Sequence, residues 1–345
     1  MAFATFEALA FPPGQDEASR NGPRTDGLVV VRGGRIVYER YARGFGPDTP
    51  HIAWSASKSI LHAVYGAAVA EARVDIDRPV AEKSPWIGTG AKARITYREL
   101  LQMRSGLAFE ESYEVTPLRS SVVAMLYTRG HRDMAAFAAG HELAAEPGSR
   151  WAYKSGDSLI LSAALRDLVG PELYPDYPWT ALFDRIGVRS AVWERDGAGT
   201  FVASSYLYAT PRDLARFGLL YARDGCWSGE RILPHGWADF AATLSPPLLA
   251  PEHVPWWRRW FGGNDPPPAS YGAHWWLNRA GLAEWPPFPV APEGLLWASG
   301  HWGQSVLVLP RQALVIVRTA DDREEFPVGS FLRAALAAFA PDEGR

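Results

Sequence analysis

A short polar run, Trp54-Ser55-Ala56-Ser57-Lys58-Ser59, leads into an apolar helical pattern. Apolar residues recur at three- and four-residue steps over 60–69, which predicts a helix that begins at this run. Ser55 and Lys58 are three positions apart, so they share a helix face and the lysine amine can reach the serine hydroxyl. Backbone N–H groups at a helix N-terminus favour an oxyanion. The run therefore predicts a serine nucleophile assisted by a lysine; the alternative is that Ser55 caps the helix and Lys58 is solvated.

A tyrosine in a second polar segment, residues 147–157, is the candidate proton partner. A serine nucleophile needs a base, and the spacing of residues indicates no Ser-His-Asp set. Tyr153 can serve if its pKa falls from about 10, and a nearby ammonium group lowers a tyrosine pKa. The alternative is that Tyr153 is a core aromatic in front of a helix that Ser155 or Asp157 caps.

A third segment enters a predicted strand and combines glycines with a histidine: Ser299-Gly300-His301-Trp302-Gly303-Gln304. Glycines let the backbone approach a ligand closely, and N–H groups at a sheet edge can donate to an oxyanion. Taken alone, His301 is more often a structural histidine than a catalytic one. The remaining histidines show no metal-ligand spacing, so neither a metal nor another cofactor is expected.

Strand patterns occur at both ends of the chain and helical patterns between them. Two β-rich runs, 27–32 and 35–39, flank Gly33-Gly34 and predict a hairpin. Further strands are predicted at 295–298, 305–309 and 314–319, and helices at 97–103, 120–127, 134–141, 158–169, 178–186, 211–223 and 331–339. This order predicts an α+β fold, in which an antiparallel sheet built from both chain ends is flanked by helices and carries an inserted all-helical domain.

The predicted domain boundaries follow this order. Residues 1–75 and 245–345 are assigned to a discontinuous sheet domain and residues 76–244 to the helical domain, with the active site at the seam. Residues 1–24 are expected to be an irregular lead-in. The Pro- and Gly-rich stretch 245–292 is expected to be a long loop. Its tryptophans, with one in the third segment, either form an aromatic lid or pack the loop onto the body: Trp256, Trp257, Trp260, Trp275, Trp276, Trp285 and Trp302.

Composition narrows the classes of function. The chain has 345 residues and a net charge of −3, so no global basic field recruits nucleic acid or anionic lipid. The single cysteine, Cys226, excludes an internal disulfide framework. No apolar run approaches the roughly 20 residues of a membrane span, and no signal peptide pattern is visible. The sequence as given predicts a cytoplasmic protein, or a periplasmic or secreted one if an export signal has been removed.

The three segments, in this order and at these separations, resemble the serine β-lactamase and DD-peptidase superfamily, the penicillin-recognising serine hydrolases. Their patterns are Ser-x-x-Lys at Ser55, Tyr-x-Ser-Gly-Asp at Tyr153 and Gly-His-x-Gly-Gln at Gly300. The resemblance spans residues 27 to about 337, with secondary matches at 95–107 and 207–218. It is closest to the 6-aminohexanoate-oligomer hydrolases and the related β-lactamase-like esterases. The implied fold is β-lactamase/transpeptidase-like.

The resemblance implies a role for each matching residue. Ser55 is the acylated nucleophile, Lys58 holds or takes its proton, and Tyr153 acts as base and leaving-group acid. Ser155 stands where many relatives have an asparagine that contacts substrate. The oxyanion donors are the backbone N–H groups of Ser55 and of a residue near Gln304.

The family's Lys-Thr-Gly strand box is absent from this sequence. Its counterpart is either His301-Trp302-Gly303, the preferred assignment, or Ala298-Ser299-Gly300. Losing the lysine removes a fixed cation that would bind a substrate carboxylate, which favours neutral or weakly anionic substrates. No Glu-x-x-Leu-Asn segment occurs, so the deacylation machinery of class A β-lactamases is not expected.

These observations predict a serine hydrolase, a carboxylesterase or amidase, that cleaves a small ester or amide through an acyl-enzyme. The expected partner is a small-molecule substrate, with no nucleic acid and no membrane span. Two alternatives stay open at this point. One is a DD-peptidase or β-lactamase, and the other is a binding or sensor protein of the same fold that is acylated without turnover.

Overall fold

The computed structural model describes residues 2–13, 21–112, 120–246, 270–280 and 286–340. The strands in these ranges are β1 (Thr25–Arg32), β2 (Arg35–Tyr41), β3 (His51–Ile52), β4 (Val192–Trp193), β5 (Leu207–Ala209), β6 (Cys226–Trp227), β7 (Glu230–Arg231), β8 (Trp276–Leu277), β9 (Leu296–Gly300), β10 (Gln304–Leu309) and β11 (Leu314–Ala320). The helices are α1 (Ala2–Ala10), α2 (Ser57–Ala70), α3 (Tyr97–Leu101), α4 (Ser121–Tyr127), α5 (Met134–Ala139), α6 (Ser155–Val169), α7 (Pro211–Ala222), α8 (Trp237–Ala241) and α9 (Val328–Phe339). Single turns of 3₁₀-helix occur at Trp54–Ala56, Val80–Glu82, Pro85–Ile87, Lys92–Arg94, His301–Gly303 and Pro310–Gln312, and a π-helical turn at Trp179–Phe183.

The main sheet joins the two ends of the chain. Its strand order within the described residues is β2-β1-β11-β10-β9-β8, and the paired strands are antiparallel. β1 lies between β2 and β11, and Val29 is opposite Val317 in that pairing. The predicted α+β fold with a sheet built from both chain ends is confirmed.

Helices cover both faces of the sheet. Successive side chains along β1 point alternately into two hydrophobic clusters, one on each face. Leu28 and Val30 of β1 lie in the cluster that includes residues of α1 and α9. Val29 and Val31 face the opposite cluster, which includes residues of α2, α6 and α7. Because both faces are covered, β1 is apolar on both sides rather than alternating with polar residues.

The N-terminal lead-in differs from the sequence prediction, because α1 forms where irregular chain was expected. Phe6 of α1 is fully buried. Its ring stacks on Phe331 of α9 at 4.9 Å between centroids and meets Tyr38 edge-on at 5.4 Å. The turn-forming residues that suggested irregular chain begin at Pro12, after the helix has ended. Tertiary aromatic packing therefore determines this helix rather than its local pattern.

Helices of the predicted helical domain, residues 76–244, pack both against one another and against the main sheet. α6 packs against α3 and α5, whereas α7 packs against β1, β10 and β11. Gly218 of α7 lies so close to the sheet that an added Cβ would be 2.6 Å from Val315 Cγ1. One helix of the predicted helical domain therefore packs directly on the sheet, and the proposed division at residues 75 and 245 stays a prediction.

A buried ion pair ties the last strand to the first. The Arg318 guanidinium donates to both carboxylate oxygens of Asp322, at 2.6 and 2.8 Å. Asp322 also accepts a hydrogen bond from the backbone N–H of Arg24, and Arg318 donates to Thr25 Oγ1 at 2.7 Å and to the Gly303 carbonyl at 3.3 Å. The side chains of Arg318 and Asp322 are only 1% and 4% exposed. The pair thus links the start of β1 to the turn between β9 and β10.

Substituting Arg318→Met should lower the free energy of unfolding by about 3–5 kcal/mol, because it leaves the Asp322 charge buried without its partner. Urea denaturation measures this change. The matched control is Arg94→Met, which breaks an ion pair with Glu146 whose side chains are 64% and 71% exposed. The control should change the free energy by less than about 1 kcal/mol. Equal losses in the two variants would contradict the assigned role of the buried pair.

Candidate active site

A cavity of about 360 Å³ lies where the turn before α2 meets the end of β9. Aromatic side chains form much of its wall, with two serines, a glycine and one carboxylate. The lining residues are Trp54, Ser55, Glu111, Tyr127, Tyr153, Trp276, Ser299, Gly300, His301 and Trp302. Members of all three predicted segments therefore meet at one cavity.

Ser55 lies in the 3₁₀ turn that leads into α2, one residue before Ala56 caps the helix. The turn starts at Trp54, whose φ of 47° is unusual for a residue with a side chain. The preceding residue, Ala53, donates its N–H to the Leu207 carbonyl at 2.7 Å. The serine is thus held at the cavity by backbone contacts on β5 and by the start of α2.

Lys58 is the buried centre of the site, with 1% of its surface exposed. Its Nζ lies 3.2 Å from Ser55 Oγ, 3.1 Å from Ser155 Oγ and 3.0 Å from the Ser204 carbonyl oxygen. The i, i+3 spacing across the 3₁₀ turn and the first residues of α2 places the amine next to the serine, as the sequence predicts. The alternative of a solvated lysine is wrong for this residue.

Tyr153 contacts Lys58 through its aromatic face. Lys58 Nζ lies 4.8 Å from the ring centroid. The ring stacks on Trp276 at 5.3 Å and an angle of 29°, and Tyr271 meets it edge-on at 5.7 Å. The tyrosine is therefore fixed between the amine and the aromatic wall with its ring in the lining of the cavity, and its role as a proton partner stays a prediction.

Ser155 and Glu111 form a second polar contact behind Lys58. The backbone N–H and the hydroxyl of Ser155 donate to the two carboxylate oxygens of Glu111, at 2.7 and 2.6 Å. Burial raises the pKa of Glu111, and the positive charge of Lys58 and the hydrogen bonds from Ser155 oppose that rise. Ser155 is fully buried. Its hydroxyl contacts Lys58 and Glu111 within the site.

The third segment divides into residues that line the cavity and residues that face away from it. Ser299 and Gly300 end β9, and His301 and Trp302 follow in the 3₁₀ turn; all four line the cavity. Gly303 and Gln304 are not in the wall of this cavity.

The Gln304 side chain is turned into the sheet rather than toward substrate. Its amide nitrogen lies within hydrogen-bond distance of the carbonyls of His301, Trp302 and Ala320, and its amide oxygen accepts from the Ala320 N–H. The side-chain amide is therefore occupied within the protein, and the expected oxyanion donor, a backbone N–H near Gln304, stays a prediction. The observed role of the side chain is to hold the turn that carries His301 and Trp302.

The close approach of β9 to the nucleophile turn depends on Gly300. A Cβ added at this position would lie 2.2 Å from the Ala53 carbonyl oxygen. Ser299 and Gly300 are thus the strand residues next to the turn that carries Ser55, whereas the preferred box, His301-Trp302-Gly303, forms the turn beyond the strand. This geometry favours the second of the two assignments for the missing Lys-Thr-Gly box.

Sequence analysis missed Glu111 and Tyr127 as parts of the wall. Neither belongs to a recognisable box, and Glu111 follows another glutamate in a segment without helical or strand periodicity. Of the tryptophans predicted to form a lid, Trp276 and Trp302 line the cavity. Trp275 is fully buried and stacks on Phe217 in the core. The others lie outside the described residues: Trp256, Trp257, Trp260 and Trp285.

Two features are absent from the described residues, a metal-binding cluster and a membrane-spanning helix. No cluster of three or more His, Cys, Asp or Glu side chains is placed there to hold a metal ion. No helix in the same ranges has the length and apolar character needed to cross a membrane.

Comparison with known proteins identifies the family. The beta-lactamase family matches residues 16–339, and the chain belongs to that family. It is 29% identical over 304 residues to the 6-aminohexanoate-dimer hydrolase of Paenarthrobacter ureafaciens, covering 85% of this chain and 72% of that protein. The predicted superfamily is therefore confirmed, and the chain is a hydrolase of the serine β-lactamase fold.

Solved structures agree on the fold. A family VIII carboxylesterase is 14% identical and has a TM-score of 0.69, covering 97% of this chain and 96% of that one. A D-stereospecific amidohydrolase from Streptomyces sp. is 18% identical and has a TM-score of 0.63, covering 99% of both chains. At these identities the similarity establishes a shared fold.

Substituting Gly300→Ala should reduce ester hydrolysis by about 100-fold, because the new methyl group would push β9 away from the Ala53 carbonyl by a fraction of an ångström or more. The measurement is kcat/KM for p-nitrophenyl acetate, together with the melting temperature. Gly294→Ala is the control, because a Cβ at Gly294 would have no neighbouring atom within 4 Å. An active Gly300→Ala variant, or equal effects in both variants, would show that the close approach is dispensable.

Proposed function

We propose that Ser55 is the nucleophile of a serine hydrolase that cleaves small, neutral esters or amides through an acyl-enzyme, with Lys58 and Tyr153 as its proton partners. The observation that carries this proposal is the contact of 3.2 Å between Lys58 Nζ and Ser55 Oγ at the wall of the cavity. A serine hydroxyl becomes a good nucleophile only when an adjacent group takes its proton.

Acylation starts when the Ser55 hydroxyl loses its proton to the Lys58–Tyr153 pair. Oγ then bonds to the substrate carbonyl carbon, and the electron pair of the C=O bond moves onto the carbonyl oxygen. The N–H groups of Ser55 and of a residue at the Gly300–His301 end of β9 stabilise this oxyanion. When the C=O bond re-forms, the bond to the alcohol or amine breaks, and Tyr153 supplies the proton that the leaving group needs.

Deacylation repeats the sequence with water as the nucleophile. Water gives a proton to the same pair and bonds to the acyl carbon, and the Ser55 oxygen leaves and regains its proton. The products are a carboxylic acid and the free enzyme. The buried position of Lys58 keeps the proton carrier next to Ser55 in both half-reactions.

The cavity wall favours a small neutral substrate. A cavity of about 360 Å³ is at the small end of ligand sites. None of the described residues that line it is a lysine or an arginine, and Glu111 would repel a substrate carboxylate. Aromatic side chains offer contact area to an apolar acyl or leaving group: Trp54, Tyr127, Tyr153, Trp276 and Trp302. Esters are expected to be better substrates than amides because their leaving groups need less help from an acid.

Two other functions fit the same fold less well. A DD-peptidase or β-lactamase would need a cation for the substrate carboxylate, and the cavity-lining residues that the structure describes include neither a lysine nor an arginine. A binding or sensor protein would be acylated without turnover, and the adjacent Ser55, Lys58 and Tyr153 argue against a lost reaction. Burst kinetics distinguish a sensor from a hydrolase. A sensor releases one equivalent of leaving group and then stops, whereas a hydrolase continues at a steady-state rate.

Substituting Ser55→Ala should abolish turnover and leave the fold intact, because the change removes one hydroxyl oxygen at the cavity wall. A fluorophosphonate should label the wild type at Ser55, as located by peptide mass spectrometry, and should not label the variant. Ser305→Ala is the matched control, since Ser305 does not line this cavity, and it should still be labelled. Labelling at another serine, or an active Ser55→Ala variant, would refute the assignment.

Substituting His301→Lys should shift preference toward substrates that carry a carboxylate near the scissile bond. A new cation at the wall should raise their relative kcat/KM by about fivefold, since one ion pair at a surface contributes about 1 kcal/mol. The measurement compares a neutral ester, the same ester with a carboxylate, and a chromogenic cephalosporin. His301→Gln is the neutral control. A wild type that prefers the cephalosporin would contradict the assigned substrate class.

A further inference from the structure

We infer that Glu111 is a positioning residue for the reaction: acting through the Ser155 hydroxyl, it orients Lys58 so that the lysine nitrogen can accept a proton only from Ser55. The inference deepens the proposed function and rests on it, because it takes Ser55 as the nucleophile. Some atoms of this buried cluster can donate a hydrogen and others can only accept one, and this difference sets the orientation of Lys58.

The contact between Glu111 and Ser155 fixes the direction of the serine hydroxyl. Ser155 Oγ lies 2.6 Å from Glu111 Oε1, and the Ser155 N–H donates to Glu111 Oε2 at 2.7 Å. An ionised carboxylate has no hydrogen to donate. The single hydroxyl hydrogen of Ser155 is therefore directed at Glu111, and toward its other neighbours Ser155 Oγ can act only as an acceptor.

Lys58 meets this acceptor and a second one. Its Nζ lies 3.1 Å from Ser155 Oγ and 3.0 Å from the Ser204 carbonyl oxygen, which also can only accept. Two N–H groups of the lysine are therefore directed away from the nucleophile. The third position on the nitrogen is left for Ser55 Oγ at 3.2 Å.

The consequence concerns the step in which Lys58 acts as the base. As an ammonium, Lys58 donates to all three oxygens; after it has lost one proton, it is an amine with two hydrogens and one lone pair. With both hydrogens given to Ser155 and Ser204, the lone pair faces Ser55, the one neighbour of the three that has a hydrogen to give. The proton of Ser55 then passes to Lys58 Nζ as Oγ bonds to the acyl carbon, and Lys58 becomes an ammonium that donates to all three oxygens. No atom of Glu111 or Ser155 needs to gain or lose a proton in this step.

Protonation of Glu111 would disturb the arrangement. A neutral Glu111 can donate to Ser155 Oγ, and the Ser155 hydrogen can then turn to Lys58 and occupy its lone pair. The charged and titratable groups that face Glu111 are Lys58, which lowers its pKa, and Asp157, which raises it, while Tyr271 lies close enough to be affected by its charge. Burial has the largest effect and raises the pKa of Glu111, so its protonation begins at a higher pH than for an exposed glutamate.

The test measures the second-order rate at which a fluorophosphonate labels Ser55 in the wild type, Glu111→Gln, Ser155→Ala and the double variant. Each single change should slow labelling by about 100-fold, the usual range for a general base. The double variant should be no slower than the slower single variant, because both changes break the same path. Circular dichroism and melting temperatures establish that each variant is folded.

The pH dependence supplies a second readout, which also applies if Glu111→Gln fails to fold. Wild-type labelling should fall on the acid side as Glu111 becomes protonated. In Ser155→Ala the contribution of Glu111 to this acid limb should be absent, because the hydroxyl that transmits the change is missing, so the limb should differ in position or steepness from that of the wild type. An acid limb that is the same in both proteins would overturn the inference.

Two further outcomes separate this inference from the proposed function. If Ser55 is labelled and Glu111→Gln leaves the rate unchanged, or if the losses multiply in the double variant, the orienting role of Glu111 is wrong and the nucleophile stands. If the wild type is not labelled at Ser55, the proposed function fails and the inference fails with it.

Discussion

The buried amine of Lys58 is the constraint on which the rest of the site depends. An amine that is 1% exposed is unfavourable unless its hydrogens find acceptors. Three oxygens supply them, from Ser55, Ser155 and the Ser204 carbonyl, and the last two are 97 and 146 residues away along the chain. The three hydrogen bonds of Lys58 therefore join the turn before α2, the start of α6 and the segment before β5 at one point. The cavity forms at that point as a result.

The other wall of the cavity depends on how closely a strand can approach a turn. β9 reaches the nucleophile turn because Gly300 has no side chain. Beyond it, the carbonyls of the β9–β10 turn are held by Gln304, by the Asp322 N–H and by Arg318. The carbonyl groups of His301, Trp302 and Gly303 are thus already paired within the protein. A turn held in this way needs little rearrangement when charge develops on a substrate oxygen.

Features that depend only on residues near one another in the sequence were predicted correctly. The i, i+3 spacing placed Lys58 beside Ser55, and the Gly33-Gly34 turn fixed the first hairpin. Features that depend on distant residues were not predictable in this way. The helix α1 forms because Phe6 packs on residues more than 300 positions later. Glu111 joins the site because its carboxylate meets Ser155, and no local pattern around Glu111 records that contact.

The pairing of β1 with β11 has a consequence for the newly made chain. Val29 is synthesised long before its partner Val317, so the pairing of β1 with β11 can form only when nearly all of the described chain has left the ribosome. Contacts this distant in sequence also form slowly. Ser55 and Lys58 are synthesised early, but the β9 wall that completes their cavity arrives near the end. A nascent chain therefore carries Ser55 and Lys58 well before the residues that complete the wall of their cavity have been made.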